Sequence, residues 1–135
     1  MLGERFTTIP GSSDYFAGGF ITYSNEMKTQ LLGVSTEMLE RSGAVSRETA
    51  EAMAIGARRN TRSTYAVSIT GVAGPDPQTA PGGEPIPVGT VYVGIADGAG
   101  TRVVHRQFLG DRQRIRVFTT QLALDLLRRR LIHRE

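Results

Sequence analysis

Cysteine is absent from this chain of 135 residues. The absence excludes a disulfide framework, a thiol nucleophile and a thiolate metal site within the sequence. Histidine is also scarce, since it occurs only at His105 and His133 and shows no paired-ligand spacing. We therefore predict no catalytic metal, and we predict no organic cofactor.

Long apolar segments are lacking as well. No run of residues approaches the roughly 20 that a membrane-spanning helix needs, and the first residues show no charged-then-apolar signal pattern. We expect a cytoplasmic protein with no membrane partner. The chain length and a hydrophobic share of 39% indicate one globular domain covering residues 1–135.

Lysine is nearly missing from a basic chain. The formal net charge is +3, yet only Lys28 among the sixteen cationic residues is a lysine. A guanidinium stays protonated, whereas an amine can be tuned to act as a base. The arginines at the C-terminal end, Arg128–Arg130 and Arg134, have no interleaved aromatic residues. A solvated basic face is the simpler interpretation there, so we do not expect a nucleic-acid partner.

The first half of the chain predicts helices around one short strand. We expect a strand at Phe20–Tyr23, followed by a helix that Ser24 or Asn25 caps and Gly33 ends. A further helix, with Ser46 as its N-cap, is predicted over Arg47–Arg59, where small apolar residues permit close packing on a sheet.

The second half predicts a hairpin and a long helix. A β-rich segment, Tyr65–Thr70, leads into the irregular loop Gly71–Pro87, and the strands Val88–Ala96 and Arg102–Phe108 form the hairpin. Asp111 caps the final helix, which we expect to end near residue 132. Its apolar stripe consists of Ile115, Phe118, Leu122 and Leu126. Strands mixed with covering helices indicate a layered α/β domain.

Several segments, in one order along nearly the whole chain, resemble the C-terminal domain of the CinA family. They are GSSDYFAGGFITYSNEMKTQLLGV (Gly11–Val34), GAVSRETAEAMAIGA (Gly43–Ala57), SITGVAGP (Ser68–Pro75), PVGTVYVGI (Pro87–Ile95) and GDRQRIR (Gly110–Arg116). A set of motifs in a fixed order is far more specific than a lone glycine-rich fingerprint.

The resemblance implies a three-layer α/β/α fold with a mixed β-sheet. It also implies a nicotinamide-nucleotide amidohydrolase of the PncC type, which converts nicotinamide mononucleotide to nicotinic acid mononucleotide and ammonia. The family places a nucleophilic serine in a Glu-Ser-Cys-Thr-Gly-Gly segment upstream of the residues quoted above. We therefore expect this chain to lack the family's N-terminal strand and the start of its serine-bearing helix.

The catalytic lysine of the family corresponds to Lys28, and a tyrosine of the same stretch corresponds to Tyr23. With Asn25 as the N-cap, Lys28 lies in the first helical turn, where the positive end of the helix dipole lowers the pKa of an ammonium group. A neutral amine can accept a proton from a serine. From the residues alone, a solvated lysine and a tyrosine that only packs its ring are the alternatives.

Eight residues are candidates for substrate binding: Thr70, Gly71, Gly74, Pro75, Gly89, Thr90, Arg112 and Arg116. The turn that starts at Thr70 follows a strand, at the end where α/β sheets bind ligands. Arg112 and Arg116 belong to the start of a helix, where a nucleotide phosphate can bind. An ordinary turn, packing glycines and solvated arginines are the alternatives.

Two functions from different classes remain open at this point. The first is the amidohydrolase, with Lys28 as base and an upstream serine as nucleophile. The second is a non-catalytic nucleotide-binding or protein-interaction module of a competence/damage-inducible protein. In both cases we expect a pyridine nucleotide as the small-molecule partner, and either a homo-oligomer or a separate N-terminal fragment that supplies the absent strand.

Overall fold

The structure is a computed structural model that describes residues 1–133, so Arg134 of the predicted basic face lies outside the described residues. The helices are α1 (Leu2–Thr7), α2 (Asn25–Leu32), α3 (Thr36–Ser42), α4 (Arg47–Thr61) and α5 (Arg112–His133), with a short 3-10 helix at Ser12–Asp14. The strands are β1 (Ala66–Gly71), β2 (Gln78–Thr79), β3 (Pro85–Ile86), β4 (Thr90–Asp97) and β5 (Gly100–Gln107).

The main sheet has three strands in the order β1-β4-β5. Strand β4 is central and pairs antiparallel with both neighbours, from Ala66 opposite Ala96 on one side to Asp97 opposite Gly100 on the other. The predicted hairpin of β4 and β5 is therefore confirmed. The predicted irregular loop contains a small ladder of its own, because β2 and β3 pair within it.

Helices α4 and α5 cover opposite faces of this sheet. On the α4 face, the Ser68 hydroxyl donates to the Ala50 carbonyl at 2.6 Å. Gly94 has no room for a side chain, since a Cβ there would lie 2.7 Å from the same carbonyl. On the α5 face, Val93 and Ile95 pack with Leu126 and its neighbours in a buried apolar cluster. This arrangement confirms the predicted α/β class with helix, sheet and helix layers.

Three local expectations need correction. Parallel pairing, which a mixed sheet requires, does not occur among residues 1–133, because each described strand pair is antiparallel. Phe20–Tyr23 is not a strand, since an extended segment becomes a strand only by pairing with a neighbour and these residues pair with none in the described part of the chain. Phe118 is 43% exposed and contacts Phe108, with 5.7 Å between the ring centroids, whereas Thr119 and Ala123 of the same helix are buried.

Candidate functional site

Helix α2 carries Lys28, and a serine cap fixes where the helix begins. The hydroxyl of Ser24 accepts a hydrogen bond from the Met27 amide at 3.1 Å, so Ser24 rather than Asn25 is the N-cap. Lys28 is consequently the fourth helical residue instead of the third. Its own amide donates to the Ser24 carbonyl at 3.1 Å, which closes the first turn of the helix.

The side chain of Lys28 is buried, with 7% of its surface exposed. Its Nζ donates to the Thr22 carbonyl at 2.8 Å. Within residues 1–133 no carboxylate forms an ion pair with this amine. Burial lowers the pKa of Lys28 below its ordinary value, because desolvation disfavours the charged ammonium. The site therefore holds an amine that is easier to deprotonate than a surface lysine.

Helix α4 holds α2 in position through close backbone contact. Gly56 lies so near α2 that a Cβ there would overlap the Leu32 carbonyl. The same carbonyl accepts a hydrogen bond from Arg59, and the Leu31 carbonyl accepts one from Asn60. These contacts satisfy carbonyls at the end of α2 that have no partner within the helix. Lys28 is thus fixed by residues far along the chain.

The predicted binding residues from Thr70 to Thr90 are called the strand-end residues below. They lie together where β1 ends and β4 begins. Gly71 pairs with Val91, and a Cβ on Gly71 would lie 2.8 Å from the Thr90 carbonyl. The hydroxyl of Thr70 donates to the Ala44 carbonyl at 2.6 Å, which fixes it on the α4 face. Its oxygen still has a lone pair for a further donor. Thr90 Oγ1 lies 2.7 Å from the Pro87 carbonyl and 2.8 Å from Gln107 Oε1.

Two glycines in this region require left-handed backbone. Gly89 has a φ of 94°, and its amide donates to the Val72 carbonyl at 2.7 Å. Gly74 has a φ of 91° and precedes Pro75 through a cis peptide bond. Other residues adopt such angles only with strain, which accounts for glycine at both positions.

Arg112 joins this loop to helix α5. Its guanidinium donates to the Gly74 carbonyl at 2.7 Å, across 38 positions of sequence. Asp111 caps the helix as predicted, because its carboxylate accepts from the Arg114 amide at 2.8 Å. Arg112, one of the two arginines predicted to bind phosphate, therefore also holds the turn at Gly74 in place.

Arg116 lies at a cleft of about 240 Å³ on the α5 face of the sheet. The cleft is lined mainly by apolar side chains, including Leu2, Ile69, Val91 and Ile115, and Gly71 forms part of its wall. Within the described residues the Arg116 guanidinium has no hydrogen bond or ion pair to another side chain. The cleft thus combines an apolar wall with the Arg116 guanidinium.

The predicted site residues fall into separate groups. The strand-end residues and Arg112 form one group, and Gly71 links that group to Arg116 at the cleft. Lys28 lies beside Thr22 on the α2 side, and Tyr23 is 86% exposed. In residues 1–133 no hydrogen bond connects Lys28 with Tyr23 or with the strand-end group. The roles predicted for these residues stay predictions.

Two features near Lys28 were not predicted from the sequence. The Thr22 carbonyl holds the amine, and the hydroxyl of Thr29 is buried without a hydrogen-bond partner among the described residues. A backbone acceptor leaves no signal in residue type, so only the structure reveals it. Gly56 was also missed, although a glycine inside a predicted helix is a recognisable sign of close packing. No three metal-ligating side chains come together within residues 1–133.

Sequence comparison relates the chain to a family and to named proteins. The family model for the CinA C-terminal domain matches residues 1–131. A CinA-like protein of Solibacter usitatus is 72% identical over 131 residues, which is 97% of this chain and 30% of that protein. A CinA-like protein of Koribacter versatilis is 52% identical over 98% of this chain and 31% of its own length. The chain therefore spans about a third of these relatives.

Solved structures agree with the sequence relatives. The competence/damage inducible protein CihA from Agrobacterium tumefaciens is 38% identical, with a TM-score of 0.80 over 93% of this chain and 78% of that one. The competence damage-inducible protein A from Klebsiella pneumoniae is 25% identical, with a TM-score of 0.91 over 99% of this chain and 81% of that one. Fold and sequence thus agree along almost the whole length, and the chain belongs to the CinA C-terminal domain family.

Proposed function

We propose that this chain is the amidohydrolase domain of a nicotinamide-nucleotide deamidase. The observation that carries the proposal is the chain's one lysine, Lys28, which is buried without a carboxylate partner in residues 1–133. Burial lowers its pKa, and a lysine with a depressed pKa is suited to work as a general base. A purely structural buried lysine is usually paired with an acid.

The proposed reaction uses this amine twice. A serine oxygen attacks the carboxamide carbon of nicotinamide mononucleotide while Lys28 accepts the serine proton. Lys28 then gives that proton to the nitrogen that leaves as ammonia, and an acyl ester forms on the serine. Water hydrolyses the ester and yields nicotinic acid mononucleotide. The serine belongs to the family's Glu-Ser-Cys-Thr-Gly-Gly segment, so the reaction needs that segment beside this chain.

The strand-end group supplies the proposed nucleotide site. Arg112 uses one nitrogen for the Gly74 carbonyl, and a guanidinium has further N–H donors that can bind a phosphate. Arg116 contributes an unpaired cation from the next turn of the same helix. The Thr70 and Thr90 hydroxyls, together with Gly71, Gly74, Pro75 and Gly89, form the wall that faces the nucleotide in this proposal. The proposal also includes a cytoplasmic location for the protein.

A non-catalytic nucleotide-binding module is the second candidate, and one observation favours it. The hydrogen-bond partner of Lys28 Nζ is a backbone carbonyl, and no hydroxyl in residues 1–133 donates to this amine. A chain with the pocket but no nucleophile would bind nicotinamide mononucleotide without hydrolysing it. The two candidates therefore differ in ammonia release and share the ligand.

The deciding experiment joins the Glu-Ser-Cys-Thr-Gly-Gly segment to this chain and measures ammonia release from nicotinamide mononucleotide. Lys28→Arg should lower kcat/KM by about a hundredfold to ten-thousandfold, because a guanidinium cannot accept the serine proton. Glu26→Gln, an exposed change on the same helix, is the matched control and should leave turnover unchanged. Full turnover by Lys28→Arg would overturn the base role. Calorimetric binding without ammonia release from the joined protein would support the second candidate.

A further inference from the structure

The loop between β1 and β4 contains a hairpin with few ties to the rest of the fold. Strands β2 and β3 pair within it. Its tip is closed by hydrogen bonds from the Ala80 amide to the Glu84 carbonyl at 2.7 Å and from the Gly83 amide to the Ala80 carbonyl at 2.9 Å. No hydrogen bond or ion pair joins residues 76–86 to the remainder of residues 1–133. An element with so few bonds to its surroundings opens at a low cost in free energy.

Two side chains fix the base of this hairpin. Arg112 donates to the Gly74 carbonyl at 2.7 Å, and the side-chain amide of Gln107 donates to the Val88 carbonyl at 2.8 Å. Gly74 and Val88 also touch, since a Cβ on Gly74 would lie 2.8 Å from Val88 Cγ1. The base is therefore fastened beside the strand-end residues.

The tip of the hairpin returns to the turn between α3 and α4. The ring of Pro81 lies against Gly43, where an added Cβ would be 3.0 Å from Pro81 Cδ. The residue after Gly43 is Ala44, whose carbonyl accepts the hydrogen bond from Thr70. The hairpin thus starts beside the strand-end residues and ends one residue from the partner of Thr70, so it spans them.

The two hydroxyls that face the nucleotide in the proposed function are closed to solvent in this arrangement. Thr70 is 7% exposed and Thr90 is 5% exposed. A ligand can reach them only if part of the structure moves. Strands β1 and β4 are held by a ladder of backbone hydrogen bonds, whereas the tip of the hairpin is held in the described part of the chain by the contact of Pro81 with Gly43. The hairpin is therefore the element that can open.

We propose that residues 76–86 form a flap that controls access to Thr70 and Thr90, with the contact between Pro81 and Gly43 as its latch. Opening moves the tip away from the turn between α3 and α4 while the base stays in place. A flap that closes over a bound ligand excludes water from the site. The identity of the ligand, nicotinamide mononucleotide, rests on the proposed function, whereas opening of the flap is measurable without a ligand.

The first test uses the absence of cysteine from the chain. Thr70→Cys places a thiol under the flap, and its rate of reaction with a thiol reagent reports opening. Replacing residues 80–84 by Asn-Gly, a two-residue turn, removes the tip and keeps the ladder of β2 and β3. The thiol should then react at least about tenfold faster, because the closed flap no longer protects it. Ser68→Cys is the matched control and should react at an unchanged rate, since Ser68 is 6% exposed on the same face of β1 but binds Ala50 of α4.

A milder variant tests the latch with the hairpin at full length. Pro81→Gly removes the ring from the contact with Gly43 and should give the Thr70→Cys thiol a rate between those of the full and the shortened hairpins. An unchanged rate with the shortened hairpin would overturn the flap, and an unchanged rate with Pro81→Gly would overturn the latch. Equal acceleration of Ser68→Cys would show that the hairpin supports the whole fold, which would overturn both.

The second test measures the association rate of nicotinamide mononucleotide by stopped flow. Ser42→Cys and Gly82→Cys lie next to the two latch residues, and a short thiol crosslinker between them fastens the flap. Association should slow at least about tenfold on crosslinking. Thr79→Cys with Pro85→Cys is the matched control, because these partners in the β2–β3 ladder link the hairpin to itself and leave it free to open. Equal rates in the two linked proteins would overturn the control of access. Absence of nucleotide binding in every variant would contradict the proposed function, and the thiol rates would still decide whether the flap opens.

Discussion

The two outer strands of the sheet differ in the hydrogen bonds that their outward backbone groups form. On β5, the outward carbonyls of Val103 and His105 each accept a hydrogen bond from an arginine, at 2.7 Å from Arg47 and 2.8 Å from Arg106. On β1, the outward groups have no such partner in the described part of the chain. Charged side chains on an edge prevent further strand pairing. Among residues 1–133, arginines thus bind the outward carbonyls of β5 and none binds those of β1.

The ion pair that holds the hairpin turn and the residues of the candidate site also lie on different sides of the sheet. The hairpin turn beside β5 is held by Asp97, whose carboxylate binds the Arg130 guanidinium through two hydrogen bonds of 2.7 and 3.0 Å. The strand-end residues Thr70 and Gly71 lie on β1 instead. An ion pair and the arginines on the β5 edge thus stabilise one side of the sheet, while the strand-end residues of the candidate site lie on the other side.

Removal of the Asp97–Arg130 ion pair should have the largest effect on the difference between the two sides. Asp97→Asn should lower the unfolding free energy by about 2 to 3 kcal/mol, because hydrogen bonds to charged groups are lost at a site where both side chains are nearly buried. Asp125→Asn is the matched control, since Asp125 also pairs with arginines but lies at the exposed surface. It should cost much less, because solvent screens ion pairs at the exposed surface. Urea unfolding of both variants checks the difference, and equal losses would contradict it.

The effect of Asp97→Asn should also depend on pH. The Arg130 hydrogen bond lowers the pKa of Asp97 from 3.8 to about 2. A carboxylate with a depressed folded-state pKa stabilises the fold above its unfolded pKa, and this contribution disappears as pH falls through the folded value. The difference between the wild type and Asp97→Asn should therefore be constant near neutral pH and shrink between about pH 4 and pH 2. A difference that persists at pH 2 would contradict the assignment.

Removing an arginine that binds the outward carbonyls of β5 should have a smaller effect on stability and a clear effect on association. Arg47→Met takes the guanidinium away from the Val103 carbonyl and should cost about 0.5 to 1.5 kcal/mol. It should also permit association through β5, which light scattering detects as species larger than those of the wild type. Arg58→Met on the same helix removes a similar bond to the Thr64 carbonyl, which is not on a strand. Association by the Arg58 variant as well would show that Arg47 does not specifically prevent pairing at the β5 edge.

Local sequence signals were sufficient for the elements whose stability is local. Ser46 caps α4 as predicted, with its hydroxyl accepting from the Thr49 amide at 3.2 Å, and Gly33 ends α2 in the left-handed conformation. The tight turn between β4 and β5 is also where the sequence indicated it. Phe20–Tyr23 has the composition of a strand, but pairing depends on a neighbour, which residue type alone does not provide.

The sequence by itself determined the family, the order of the main helices and strands, and the presence of a single amine among fifteen guanidinium groups. Only the tertiary structure decided that this amine is buried beside Thr22 and that Arg112 reaches Gly74. Caps, turns and periodicity act over a few residues, so they can be recognised along the chain. Burial, pKa shifts and open strand edges depend on which distant segments meet, and that is fixed only when the layers pack.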